Sequence, residues 1–254
     1  MSLTMIVPCF NESKRWRSEY WTAATSLKGI EWIFVNDGSS DNTKEILDAF
    51  SLSRLNVRAI HLTPNVGKGE AVRAGMLSAI CGSMPDLQGI GFIDADGAFN
   101  LDDINRVVQI FYSKLREDTG FDAIWTARVQ LAGRSISRSN FRHFVGRVVA
   151  TLVSARFPES PYDTQSGFKI FAASSELKNC LSDPFLTRWL FDIEILLRWR
   201  FQTLRSMKVW EEPLLAWNDV AGSKVTLFQT AKIIREIHLI NKLKRMSHRP
   251  KMVS

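Results

Sequence analysis

The chain has 254 residues, 45% hydrophobic and 23% charged, with a net charge of +7; this excludes a disordered or fibrous protein and leaves room for one large core. Three cysteines, Cys9, Cys81 and Cys180, are odd in number and far apart, which argues against a disulfide framework and against a cysteine metal site. No apolar run approaches the roughly 18 residues of a spanning helix, and Met1–Phe10 reads as a strand and not as a signal peptide, so the expected location is the cytoplasm or a membrane surface.

In chain order, Thr4–Cys9, Glu31–Asp37, Val57–Thr63, Gly89–Asp94 and Ala123–Ala127 are short apolar, β-branched or aromatic runs that read as strands. Between them Glu19–Leu27, Thr43–Arg54, Gly69–Ile80 and Leu101–Arg116 carry helical patterns, the second capped by Asp41 or Asn42. This alternation predicts an α/β fold, a mostly parallel sheet with helices on both faces. Further on, Asn140–Phe157 and Trp189–Trp199 read as helices, and Phe168–Ala172 and Ser206–Trp210 as strands. Leu227–Met246 reads as a long final helix. The expected division is a catalytic domain over residues 1–220 and a basic amphipathic helix and tail over 221–254.

Ligands of such sheets bind beyond the carboxyl ends of the strands, and polar signals collect there. The run Gly91-Phe92-Ile93-Asp94-Ala95-Asp96-Gly97 ends in two carboxylates one residue apart. Strand side chains alternate, so Asp94 and Asp96 are expected to point the same way from the end of a strand. A hard divalent ion would compensate them, since Mg²⁺ takes one or two carboxylates with substrate phosphates; a solvated Asp-x-Asp turn is the plain alternative. Asn65-Val66-Gly67-Lys68-Gly69 suggests a phosphate loop but lacks the earlier glycine and the Ser/Thr that such a loop requires. A glycine-rich turn opening a helix still makes an anion site, with Lys68 and Arg73 to help. Asn36-Asp37-Gly38-Ser39 is either a simple turn or, at a strand end, a ligand contact through Asp37.

Charge is divided unevenly. Ala123–Pro158 holds six arginines (Arg128, Arg134, Arg138, Arg142, Arg147, Arg156) and no acid or lysine. Val220–Ser254 holds eight Lys/Arg against one acid, Glu236, leaving about −6 for the remainder. An arginine cluster suits phosphate, because the guanidinium fork binds oxyanions bidentately; Arg147 and Arg156 read as ordinary surface residues. The apolar side of Asn140–Phe157 (Phe141, Phe144, Val145, Val148) fits an interfacial helix or a buried core helix. Lys242–Lys251 would be drawn to anionic lipid.

As a set, the motifs resemble the nucleotide-binding half of family 2 glycosyltransferases with the Rossmann-like GT-A fold, in which Pro-x-x-Asn-Glu, Asp-Gly-Ser and Asp-x-Asp follow in this order. The resemblance implies that Pro8, Glu12 and Asp37 hold the base and ribose of a nucleotide-sugar; Lys68, from the glycine-rich turn, is expected at the same donor. It implies that Asp94 meets the ribose or metal and that Asp96 ligates Mg²⁺ or Mn²⁺ at the diphosphate. Arg134-Ser135-x-x-Arg138-Ser139-x-x-Arg142, Asp163-Thr164-Gln165-Ser166-Gly167-Phe168-Lys169, Trp189-Leu190-Phe191-Asp192-Ile193-Glu194 and Gly222-Ser223-Lys224 look like the polyprenyl-phosphate branch, closest to dolichyl-phosphate glucosyltransferases. The mannosyl branch often has Gln two residues after the second Asp; here that place is Ala98.

The resulting expectation is an inverting transfer of glucose from UDP-glucose to polyprenyl phosphate at the cytoplasmic face of a membrane, with GDP-mannose the alternative donor. An integral membrane protein is an expected partner. A phosphate acceptor is already ionised and needs no strong base; Arg128, Arg138 and Lys169 would hold it. A soluble enzyme acting on a sugar hydroxyl would need a base, Asp192 or Asp163. A nucleic-acid-binding protein would leave the paired carboxylates unexplained.

Overall fold

The computed structural model describes residues 2–82, 86–117, 120–137, 150–155, 157–158, 160–218 and 235–240. In order, the elements are β1 (Ser2–Cys9), α1 (Ser18–Thr25), β2 (Ile30–Asp37), α2 (Thr43–Leu52), β3 (Val57–Leu62), α3 (Lys68–Cys81), β4 (Leu87–Ile93), α4 (Leu101–Arg116), β5 (Ala123–Ala127), β6 (Ser135–Ser137), α5 (residues 150–155), β7 (Phe168–Ala172), α6 (Ser175–Cys180), α7 (Phe191–Thr203), β8 (Val209–Pro213), β9 (Ala216–Asn218) and α8 (residues 235–240). Seven strands form one sheet in the order β3-β2-β1-β4-β7-β5-β8. Only β7 runs antiparallel to its neighbours β4 and β5. Strands β1 to β4 are adjacent and parallel, so their carboxyl ends open along one edge, and the winding direction reverses between β1 and β4.

Both faces of the sheet are buried, which is why its strands are nearly continuous apolar runs. In β1, Leu3, Met5, Val7 and Cys9 pack on the side that holds α1, α2 and α4, whereas Ile6 faces α3 and α7. Trp32 and Phe34 of β2 take the first side, and Ile33 and Val35 the second, the period of two expected of a strand. Helix α4 has the bounds its sequence predicts: the Asn100 side chain accepts from Asp102 N at 2.6 Å, acids fill its first turn and Lys114 and Arg116 its last.

The three-residue pair β6 and β9 was not foreseen. It runs parallel, Ser135–Ser137 against Ala216–Asn218, and is held from α4 by the buried Asp103 carboxylate, which accepts from Leu215 N at 3.0 Å and Ala216 N at 3.2 Å. The expected strand Ser206–Trp210 lies later, as β8. Most of the expected helices Asn140–Phe157 and Leu227–Met246 lies outside the described residues. The described turn of the latter, α8, is packed into the core through Ile237 and Ile240, so that turn belongs to the same body as the sheet. Among the described residues no helix is long and apolar enough to cross a membrane.

Candidate active site

The loops after β1 and β2 are stitched together. Asn11 has a left-handed backbone (φ 52°), which Asn tolerates better than most residues. Its side-chain oxygen accepts from Ser40 N at 2.9 Å, and its own N–H donates to Ser39 Oγ at 2.9 Å. Glu12 N donates to Thr43 Oγ1 at 2.8 Å, and the buried Glu12 carboxylate pairs with Arg15 at 2.5 Å. Asp41 accepts from Ser13 and Thr43. Partial burial raises the Asp41 carboxyl, but these hydrogen bonds outweigh it and hold its pKa at about 2. Pro8 lies within β1, opposite Val35.

Asp37, expected as a nucleotide contact, is buried and ties down the loop after β3. It accepts from Val66 N at 2.8 Å, Gly67 N at 2.9 Å and Asn65 Nδ2 at 2.8 Å. Gly38 (φ +62°) lets that loop approach, since a Cβ there would lie 2.5 Å from Asn65 N.

The glycines around Lys68 allow close packing. A Cβ on Gly69 would lie 2.9 Å from both Thr187 O and Phe191 Cβ, and one on Gly67 2.9 Å from Arg188 Cγ. Gly69 N donates to Arg188 O at 3.0 Å. The start of α3 is therefore covered by the segment that enters α7.

Strand β4 ends at Ile93, so Asp94 and Asp96 meet across a turn and not through strand alternation. Asp94 N donates to Gly167 O at 3.0 Å. Lys68 Nζ lies 2.6 Å from Asp94 Oδ1, with the rings of Phe92 and Trp189 at 5.7 and 5.8 Å. A Cβ on Gly167 would overlap the Asp94 carboxylate, so glycine is what allows the carboxylate to sit there. Asp96 accepts from Ala98 N at 3.1 Å. Its pKa is raised, first by burial and then by the charge of Asp94; the Ala98 N–H, Lys68 and Arg15 work the other way. The turn thus holds more negative charge than its neighbours neutralise, which suits a divalent cation. No group of three or more His, Cys, Asp or Glu that could hold a metal ion exists among the described residues. Two carboxylates supplemented by substrate phosphates fit Mg²⁺ or Mn²⁺ without such a cluster.

On the other side of Asp94, the loop Asp163–Gly167 links two buried ion pairs. Arg128 Nε and Nη2 donate to the two oxygens of Asp163 at 2.8 Å each, and the guanidinium lies 5.2 Å from the Trp217 ring. Lys169 is fully buried. Its Nζ donates to Asp192 and, at 2.9 Å, to Thr164 O, and it stands 3.9 Å from the Trp125 ring centroid. Burial pulls the Lys169 pKa down, against the charge of Asp192.

The glycosyl transferase family 2 pattern matches residues 4–128. A dolichyl-phosphate beta-glucosyltransferase of Trichomonas vaginalis is 30% identical over 92% of this chain and 71% of its own length. One of Saccharomyces cerevisiae is 31% identical over 94% of this chain and 73% of its own. This chain is a family 2 glycosyltransferase. The crystal structure of glucosyl-3-phosphoglycerate synthase from Mycobacterium tuberculosis, in complex with Mn²⁺, UDP and glucosyl-3-phosphoglycerate, matches with a TM-score of 0.65 at 19% identity. That match covers 99% of this chain and 81% of that one, and it shows the shared GT-A fold.

In this glycosyltransferase the structure brings Lys68, Asp94 and Asp96 together, with Glu12 near them through Arg15. It redraws two expectations. Lys169 was expected at the acceptor phosphate, but its ammonium is wholly buried and paired with Asp192. Asp192, the candidate base, is occupied by that lysine and by Ile193 N. Arg128 follows directly on β5 with its guanidinium paired to Asp163, and Arg138 lies outside the described residues. Sequence reasoning missed Gly167, although it sits in a motif already singled out. It also gave no role to Glu194 of the Trp189–Glu194 motif, which is fully buried and accepts from Leu186 N, Thr187 N and Thr187 Oγ1. An acid between Ile193 and Ile195 in the first turn of α7 was the available signal for Glu194.

Proposed function

We propose that this enzyme transfers glucose from UDP-glucose to dolichyl or another polyprenyl phosphate, with inversion, as a peripheral protein on the cytoplasmic face of a membrane. The observation that carries the reading is the Lys68–Asp94–Asp96 group at the end of β4, in a chain akin over most of its length to dolichyl-phosphate beta-glucosyltransferases. Asp94 and Asp96 would hold Mg²⁺ or Mn²⁺, which when bound supplies Lewis-acid neutralisation of the departing nucleoside diphosphate. Lys68 adds positive charge on the same side.

The acceptor class is supported by what the acids do. Asp163 and Asp192, the residues a hydroxyl acceptor would need as base, are both engaged in buried ion pairs. A phosphate monoester has a second pKa near ~6 and is already largely a dianion at neutral pH, so it can attack the anomeric carbon without giving up a proton. Arg128 and Arg138 are the proposed contacts for it. The test is a panel of nucleotide-sugars assayed against a polyprenyl phosphate and the matching polyprenol, read by mass spectrometry. UDP-glucose with the phosphate is the productive pair expected. Preference for GDP-mannose would overturn the donor, and efficient transfer to the alcohol would overturn the acceptor.

A further inference from the structure

Glu236 is the only acid in the basic terminal stretch, and the fold buries it. It lies on α8, whose Ile237 and Ile240 are in the core. Its carboxylate accepts three successive backbone N–H groups, Arg188, Trp189 and Leu190, each at 3.0 Å, at the entry to α7. A carboxylate suits this place because three backbone N–H groups converge on it just ahead of the positive end of a helix. Glu194 holds the two preceding amides, Leu186 and Thr187. Every backbone N–H from Leu186 to Leu190 is thereby fixed by one of two carboxylates.

This clamped segment bears directly on the group at the end of β4. Arg188 O accepts Gly69 N at 3.0 Å, and the Arg188 side chain lies against Gly67. Between those glycines stands Lys68, with Asp94 at 2.6 Å and the Trp189 ring at 5.8 Å. We propose that Glu236 is a positioning residue for the donor site: it ties the terminal helix to Lys68 and Asp94 through the Arg188–Leu190 backbone. The inference rests on the nucleotide-sugar reading above. It gives the terminal segment a part in donor binding, beyond any role at a membrane.

The full-length Glu236→Gln variant tests it, since glutamine offers one acceptor oxygen and turns an NH₂ toward the same amides. Three readouts apply: amide hydrogen exchange over 186–190, UDP affinity with Mn²⁺ by calorimetry, and the KM for polyprenyl phosphate. The variant is expected to exchange faster at Arg188–Leu190. It should bind UDP about 10–100-fold more weakly, the range typical of a lost supporting partner, with acceptor KM moved less than about twofold. Glu236→Asp, a shortened carboxylate, should fall between, and it is judged by the same criteria if the glutamine variant does not fold. UDP affinity within about twofold of wild type would overturn the proposal. So would a loss that appears only together with a raised acceptor KM and a lowered melting temperature. A wild type that binds no UDP would instead remove the functional reading on which the proposal stands.

Discussion

The most direct perturbation of the site is one methyl group at Gly167. In Gly167→Ala the new Cβ would overlap Cγ and Oδ2 of Asp94, and even the farther oxygen would lie only 2.8 Å away. The Gly167 backbone is fixed by its carbonyl, which accepts Asp94 N, and by β7, which begins at the next residue. The Asp94 side chain is about one-third exposed and is the part free to give way, so it should rotate off Lys68. That pair is partly exposed and is worth about 1 kcal/mol or less. If the carboxylate stays and strain is absorbed instead, overpacking costs about 1–3 kcal/mol. The melting temperature should fall by at most about 4 °C in the first case and by roughly 2–12 °C in the second. Catalysis should suffer far more, because a displacement of about 1 Å in a reacting group costs ~10²-fold. The assay is initial rate of transfer from UDP-glucose to polyprenyl phosphate across a Mn²⁺ titration, beside a melting curve. A folded Gly167→Ala enzyme within about threefold of wild type at every Mn²⁺ concentration would refute the placement of Asp94 in the machinery.

Asp96→Asn should nearly abolish turnover at saturating donor with an unchanged melting curve, and excess EDTA should do the same to wild type; full activity in EDTA would contradict the metal assignment. Lys169→Met leaves Asp192 buried without its partner and should destabilise by about 3–5 kcal/mol. Adding Asp192→Leu should restore part of that, whereas an acceptor contact at Lys169 predicts lost activity with no loss of stability. The Asp41 carboxyl, held at about 2 when folded against about 3.9 unfolded, binds fewer protons in the folded state. Its stabilisation is therefore complete above about pH 4 and lost as pH falls toward 2. Asp41→Asn should be less stable at pH 7 and show a shallower acid decline in denaturation midpoints.

Elements with local signals were legible in sequence. The cap and charge bias of Leu101–Arg116 and the apolar runs of β5 and β7 set their bounds, and the strand–helix alternation predicted the parallel arrangement of β1 to β4. What escaped were features made by distant parts of the chain. Lys169 looks like an accessible cation until folding places Asp192 and the Trp125 ring against it. The hold that Asp37 has on the loop at Asn65–Gly67, through both its oxygens, has no local signal in sequence. The glycines around Lys68 resemble a phosphate loop because tight helix packing and anion binding ask for the same small residue. Strands β6 and β9 are too short to show a period, and their pairing depends on Asp103, over a hundred residues from β9. Glu236 was visible as an isolated acid, but its role depends on amides nearly fifty positions earlier.

The Arg128–Asp163 pair joins residues 35 positions apart. Arg128 follows directly on β5, and Asp163 comes shortly before β7, its antiparallel neighbour in the sheet. The pair therefore acts as the neck of a chain excursion whose two feet are pinned in the sheet. Between the feet the chain also contributes β6, paired with β9, and the core residues Val153 and Phe157; closing a loop grows more costly only slowly with its length, so length is open to change where those anchors are kept. On the acceptor reading proposed above, a transplant between Arg128 and Asp163 that keeps those anchors is the unit to try for changing what the enzyme glycosylates.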